Sequence, residues 1–256
     1  MLDPPHTEQH NMTSIALRPR SGPELLDAAF QFWRENFKLL CTVVAAAFVP
    51  IIVLEMLAAA DSGNALFSFL ARLGGAVFES MASAAVIFVV SERYMGRDVT
   101  AGEALNKVWT RIGTIVATSI IYGLIVFVGF ILLIVPGFYF ACKYFAMMPA
   151  VVIEGLDSST SQRRSSALTE GSKWRVLGLI IVAWLIYFVL LAVAAAIVET
   201  TMRGMTGIVV TRLLVVPIYP FLGIMVTLLY YDLRIRNEGL DLDLMLANQT
   251  SQPASA

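Results

Sequence analysis

Histidine, cysteine and charge are all scarce in this chain, and each scarcity excludes something. The two histidines, His6 and His10, lie in a polar leader, so the body of the chain lacks the usual proton shuttle of an active site. The two cysteines, Cys41 and Cys142, sit inside apolar runs with no metal-ligand spacing and read as small core hydrophobes, implying neither a disulfide nor a nucleophile. Charged residues make up 14% of the sequence and the net charge is −1, which leaves no basic field to recruit nucleic acid. No spacing marks a cofactor or a metal, and no clustered set of His, Cys or paired acids points to a catalytic centre, so an enzyme is the least favoured class.

What is abundant is apolar surface. Hydrophobic residues make up 58% of the 256 positions and the mean hydropathy is +0.75, well outside the range of soluble domains. Runs long enough to cross hydrocarbon, which takes about 20 residues, fall at 39–60, 73–91, 112–135, 137–153, 176–198 and 208–231. They are continuous rather than alternating, which excludes a β-barrel, and in lipid a helix satisfies its own backbone amides. The expected fold is therefore all-α, a six-span helical membrane protein. Residues 1–20 read as a disordered polar leader, 21–245 as the membrane domain and 246–256 as a disordered tail. The first apolar run begins too far along, and runs too long, for a secretory signal. Pro136 and Gly137 are expected to turn the chain between the third and fourth runs.

Basic residues orient the array. Arg18, Arg20, Arg34 and Lys38 precede the first run; Arg93, Arg97, Lys107 and Arg111 lie between the second and third; Arg163, Arg164, Lys173 and Arg175 between the fourth and fifth; Arg234 and Arg236 follow the sixth. The other side holds Arg72, Arg203 and Arg212. This asymmetry predicts that both termini are cytoplasmic.

Segments ahead of the odd-numbered runs look like amphipathic helices lying in the cytoplasmic interface. Leu26, Phe30, Trp33 and Phe37 recur at helical spacing opposite Gln31, Arg34, Glu35 and Lys38. Ser21 with Glu24, and Thr100 with Glu103, have capping-box spacing, and Pro23 suits a first turn. A unit of interfacial helix plus two-span hairpin, recurring three times, is one reading of this layout; ordinary anchoring is the other. Trp109, Arg111, Trp174, Arg175, Arg234 and Arg236 are the candidate anchors for anionic lipid headgroups. At 227–245, "TLLYYDLRIRNEGLDLDLM", the tyrosines suit an interfacial belt and the alternating Leu and Asp a surface segment.

Three stretches carry a resemblance: "LLDAAFQFWRENFKLL", "VPGFYFACKYFAMMPAVVIEGLDSSTSQRRSSALTEGSKWRVLGL" and "TLLYYDLRIRNEGLDLDLM". Their Pro-Gly turn, the Glu closing the fourth run, the Arg-Ser helix with Gly and Trp, and the terminal Tyr-Asp-x-Arg resemble a bacterial multi-span family. That family is typified by the membrane domain preceding the catalytic barrel in some glycerophosphodiester phosphodiesterases. The resemblance implies a helical module of the bacterial cytoplasmic membrane. No barrel follows in this sequence, so phosphodiesterase activity is not expected with it.

Glu55, Glu79 and Lys143 fall inside the apolar runs, where each costs about 2.5–3.5 kcal/mol or more if unpaired. Counting back from the ends of their runs puts Glu79 and Lys143 at equal depth, which predicts a Glu79–Lys143 pair; Glu55 is expected to reach outer water. Gly75, Ser80, Ser83 and Ala84 suit close helix packing, and Pro50, Pro217 and Pro220 read as static kinks. The leading expectation is a noncatalytic membrane module that organises lipid or a partner protein, a second copy included. A transporter or channel for a small solute or lipid is the alternative.

Overall fold

The computed structural model describes residues 19–61, 63–201 and 204–239. The expectations about the leader before residue 19, the tail after 239, and therefore both termini, lie outside those residues. The described chain is all-α: α1 (Gly22–Glu35), α2 (Phe37–Ala60), α3 (Ala65–Tyr94), α4 (Ala101–Trp109), α5 (Ile112–Leu132), α6 (Ile134–Tyr144), α7 (Met147–Ile153), α8 (Ser158–Leu168), α9 (Lys173–Thr201), α10 (Met205–Ile218) and α11 (Pro220–Glu238). Counting α6 with α7 and α10 with α11, six segments are long and apolar enough to cross a membrane. The chain is thus a multi-pass membrane protein.

The centre of the bundle is α2, α3 and α11, with α10 against α2 and α7 against α3 and α5. Small residues bring α3 and α11 together. Ala82, Ala84, Ala85 and Val86 are buried, and a Cβ on Gly223 would come within 2.6 Å of Val86. Gly75 and Ala84 are buried, as expected, Gly75 against Ile51 of α2, whereas Ser80 and Ser83 are half-buried. By contrast α5 and α9 bury little of their length, as helices facing lipid would.

Prolines set the breaks. Pro149 has no N–H for the Phe145 carbonyl, and its ring crowds the preceding turn, so the fourth run divides into α6 and α7 at Phe145–Ala146. Pro220 likewise leaves the Val216 carbonyl without its donor, and α10 gives way to α11 at Tyr219. Pro50 lies within an unbroken α2. The reversal between α5 and α6 occurs at extended Leu133 (φ −171°, ψ 160°), ahead of the expected Pro136–Gly137, which instead lie in the first turn of α6.

Both expected capping boxes form: Ser21 with Glu24, and Thr100 with Glu103. Three short helices stand where amphipathic interfacial helices are expected, but they differ from that expectation. α1 buries Leu25, Ala29 and Phe32, so the inward face is offset from the predicted one and Phe30 and Phe37 point outward. Trp33 donates its indole N–H to the Pro217 carbonyl at 2.8 Å, tying α1 to the proline-broken part of the last run. α4 buries Ala104 and Val108. α8 is not amphipathic in the expected sense, because its inward face is Ser161, Ser165 and Leu168. The Tyr230–Tyr231 pair is also a correction: both rings are buried, Tyr231 stacked on Tyr94 and bonded to Ser91 at 2.7 Å, rather than forming a belt at the interface.

Candidate functional site

Polar side chains gather in two places. One is the end of the bundle where the basic residues collect, called the basic end below; the other lies midway along α3.

At the basic end, Asp232 of α11 is 2% exposed. Its carboxylate accepts from Arg175 of α9 at 2.9 Å, from Arg236 one turn on at 2.9 Å and from the backbone N–H of Arg20 at 2.8 Å. Arg175 and Arg236 also donate to the Arg20 carbonyl, so the chain entering α1 is fastened to the chain leaving α11. Beside it, Glu154 caps the end of α7 and bonds Arg164 of α8 at 2.7 Å and the Tyr230 hydroxyl, with Arg234 at 3.6 Å. Arg164 continues to Glu238, which Arg234 also holds at 3.2 Å. Burial pushes the Glu154 carboxyl up, but the Arg164 guanidinium and the Tyr230 hydroxyl outweigh it and hold the group below its ordinary value. Glu238 and Glu154 together raise the Arg164 guanidinium.

The small hydroxyls of α8 serve the broken fourth run. Ser165 accepts from the Ala146 N–H at 3.1 Å and donates to the Lys143 carbonyl at 2.9 Å, supplying the partners that the break removes. Thr169 reaches the same carbonyl at 3.2 Å.

Midway along the bundle, the expected Glu79–Lys143 pair is not formed. Glu79, at the centre of the 30-residue α3, pairs with Arg212 of α10 at 3.3 Å. Arg212 also grips Glu55 of α2, Nε to Oε2 at 2.9 Å, so Glu55, its side chain 37% exposed, has a cation partner besides the water it was expected to reach. Lys143 lies elsewhere, its ammonium 5.3 Å from the Tyr144 ring, and among the described residues it makes no ion pair. The depth count failed because Pro149 breaks the run on which it was made. Phe48 packs 5.5 Å from the Arg212 guanidinium and edge-on to Tyr219, whose hydroxyl donates to the Glu79 carbonyl at 2.9 Å. The Glu79 side chain remains 46% exposed on the flank of the bundle. Two carboxylates therefore share one guanidinium, which leaves one formal negative charge.

Of the predicted headgroup anchors, Trp109 and Trp174 are exposed. The four arginines are not free for that role. Arg111 donates to the Val151 carbonyl at 3.0 Å and to that of Gly155 at 2.6 Å, closing the end of α7, while Arg175, Arg234 and Arg236 hold the carboxylates described above. The sequence reading missed Arg212 because its position in an apolar run near an outer loop classed it as a flanking charge. The signal available was stoichiometric: with Glu55 and Glu79 both inside apolar runs, the one arginine within another run was the natural counter-ion.

Comparison with family models, with curated proteins and with solved structures finds no match for this chain.

Proposed function

We propose that this protein is a noncatalytic integral membrane module that organises a lipid or a partner protein within the bilayer, with the flank of α3 at Glu79 as its contact. The reading rests on one observation: a carboxylate at the middle of a spanning helix is half exposed and shares its only described cation with Glu55. Hydrocarbon does not solvate such a group, and the surplus negative charge calls for a cationic or hydrogen-bond-donating group on what lies against it. A lysine, arginine or amide on a neighbouring transmembrane helix, a second copy of this chain included, meets that requirement. So does a lipid bearing an amine or hydroxyl. The sequence resemblance to a membrane module is in keeping with this role, and the positive-inside bias supports a cytoplasmic basic end.

The test is native mass spectrometry of protein extracted with its surrounding lipid, comparing the wild type with Glu79→Gln. The expected result is a retained lipid or protein species that the variant loses. Identical bound species in the two, together with solute flux in wild-type proteoliposomes, would instead favour the transporter reading.

A further inference from the structure

We propose that the α5–α6 hairpin does not cross the membrane but dips into a single leaflet from the basic end, where its apolar tip is packed by the acyl chains of that leaflet. The inference goes beyond the functional reading above and does not depend on Glu79.

The argument follows where α6 and α7 are fastened. The far end of α7 is at the basic end, since Glu154 bonds Arg164 and Tyr230 and lies near Arg234. A straight 20-residue helix from Ile153 back to Ile134 would then put Lys143 about halfway through the bilayer. Instead the Lys143 carbonyl is bonded by Ser165 and Thr169 of the α8 segment. α8 is itself at the basic end: Arg164 pairs with Glu238, the last residue of α11, and Asn237 donates to the Leu168 carbonyl at 2.8 Å. Arg163 and Glu170 flank these contacts and are exposed, as charges in water would be. Lys173, which opens α9, places its ammonium 3.3 Å from the Tyr139 hydroxyl. Both ends of α7 therefore lie at one end of the bundle.

What remains to enter hydrocarbon is α6, whose 11 residues span about 16 Å at helical rise, against the ~30 Å of a bilayer core. α5 agrees with this length. Its first half runs beside α7 and α8, with Arg111 on the Val151 carbonyl and Thr118 bonded to Ser158 at 2.7 Å. Tyr122 then meets Ala141 near the end of α6 at 3.5 Å, so the stretch of α5 left to pair with α6 is about as short as α6 itself.

The sequence of the tip fits a turn made in lipid. From Gly123 to Phe138 there is no polar side chain, and Leu132, Leu133, Ile134 and Val135 are all highly exposed. The other end differs, with Asp61 and Asn64 following α2 and Glu199, Thr200 and Thr201 in the last turn of α9. A turn buried in hydrocarbon must also satisfy its own backbone. The Leu133 N–H bonds the Gly129 carbonyl at 3.1 Å, and the Gly137 N–H bonds the Leu133 carbonyl at 3.3 Å. The two arms meet at glycine, where a Cβ on Gly129 would fall 3.0 Å from the Gly137 Cα and 2.8 Å from the Phe140 ring. Six apolar segments then make four crossings. The positive-inside bias is blind to the difference, because an even number of crossings is removed.

Cysteine accessibility tests this on the full-length protein in sealed vesicles, in a Cys41→Ala, Cys142→Ala background. Gly63→Cys reports the end away from the basic residues, Glu170→Cys the basic end, and Leu132→Cys, Leu133→Cys and Ile134→Cys the tip. A membrane-impermeant maleimide should label the first two from opposite sides and leave the tip positions at least tenfold slower from either side. A spin label at the tip should show hydrocarbon depth, with oxygen broadening it more than a water-soluble nickel chelate does. Labelling of the tip from the Gly63 side would overturn the proposal in favour of a full crossing, and labelling from the Glu170 side would overturn it in favour of a hairpin in water. If the thiol-free background does not fold, the same positions are read in the native chain with the unsubstituted protein as the blank.

Discussion

The two polar assemblies differ in how charge is balanced. At the basic end four arginines, Arg164, Arg175, Arg234 and Arg236, meet three carboxylates, Glu154, Asp232 and Glu238. Backbone groups and a tyrosine fill most of the remaining hydrogen-bonding positions. Midway along the bundle one arginine serves two carboxylates, and the longer of its two contacts goes to Glu79. The first arrangement is closed and joins the chain before α1, the end of α7, α8, the start of α9 and the end of α11. The second holds α2 to α10 through Glu55 but leaves Glu79 facing outward. A saturated network holds a fold together; the unsaturated one is the basis of the contact proposed at Glu79.

The comparison can be broken most forcefully at its closed side. Replacing Asp232 by Ala leaves Arg175 and Arg236 without their carboxylate and removes the acceptor of the Arg20 N–H, leaving the Arg20 carbonyl to hold the segment before α1. Removing one member of a buried ion pair typically costs about 3–5 kcal/mol, read as lost stability in detergent thermal or denaturant unfolding. Arg212→Met is expected to come next. It leaves Glu55 and Glu79 together without a cation at a depth where each charged group costs about 2.5–3.5 kcal/mol. Adding Glu55→Gln should restore most of the loss, and equal losses with and without it would mean that the pair is not coupled.

Ser165→Ala removes the acceptor of the Ala146 N–H and one of the donors to the Lys143 carbonyl, which keeps Thr169, with an expected loss of about 1–3 kcal/mol for the amide left unsatisfied. Acidification acts on the same end. The carboxyl of Glu154 is held below its ordinary value in the folded protein, so its contribution is full above the unfolded value, near 4.5, and is lost as pH falls through the folded one. Glu154→Gln should flatten the part of the acid unfolding curve below that point. The smallest effect belongs to Lys143→Met, expected within about 0.5 kcal/mol, with the same value whether or not Glu79 is already Gln.

The helical class, the apolar segments and the capping boxes were legible because each is written locally: in run length, in continuous hydropathy, in Ser or Thr three residues ahead of Glu. The charge partners were not. Pairing Glu79 with Lys143 assumed an unbroken fourth helix, and Pro149 invalidates the depth count. Tyr230 and Tyr231 have the look of interfacial residues and are core because α11 occupies the middle of the bundle, which depends on neighbours far away in sequence. The α8 segment was expected to anchor on lipid. Its serines face inward because a broken helix nearby supplies unpaired backbone groups, a demand that no single stretch of sequence announces.

The most direct test is the stability of Glu79→Gln set beside Asp232→Asn in the same detergent, by thermal unfolding of each purified protein. If Glu79 faces outward to a partner, its substitution leaves the midpoint within about 2 °C of the wild type, while Asp232→Asn lowers it several times as far, as expected for a cost of some kcal/mol. A Glu79→Gln midpoint that falls as far as that of Asp232→Asn would contradict the account, making Glu79 a fastening of the fold instead of a contact.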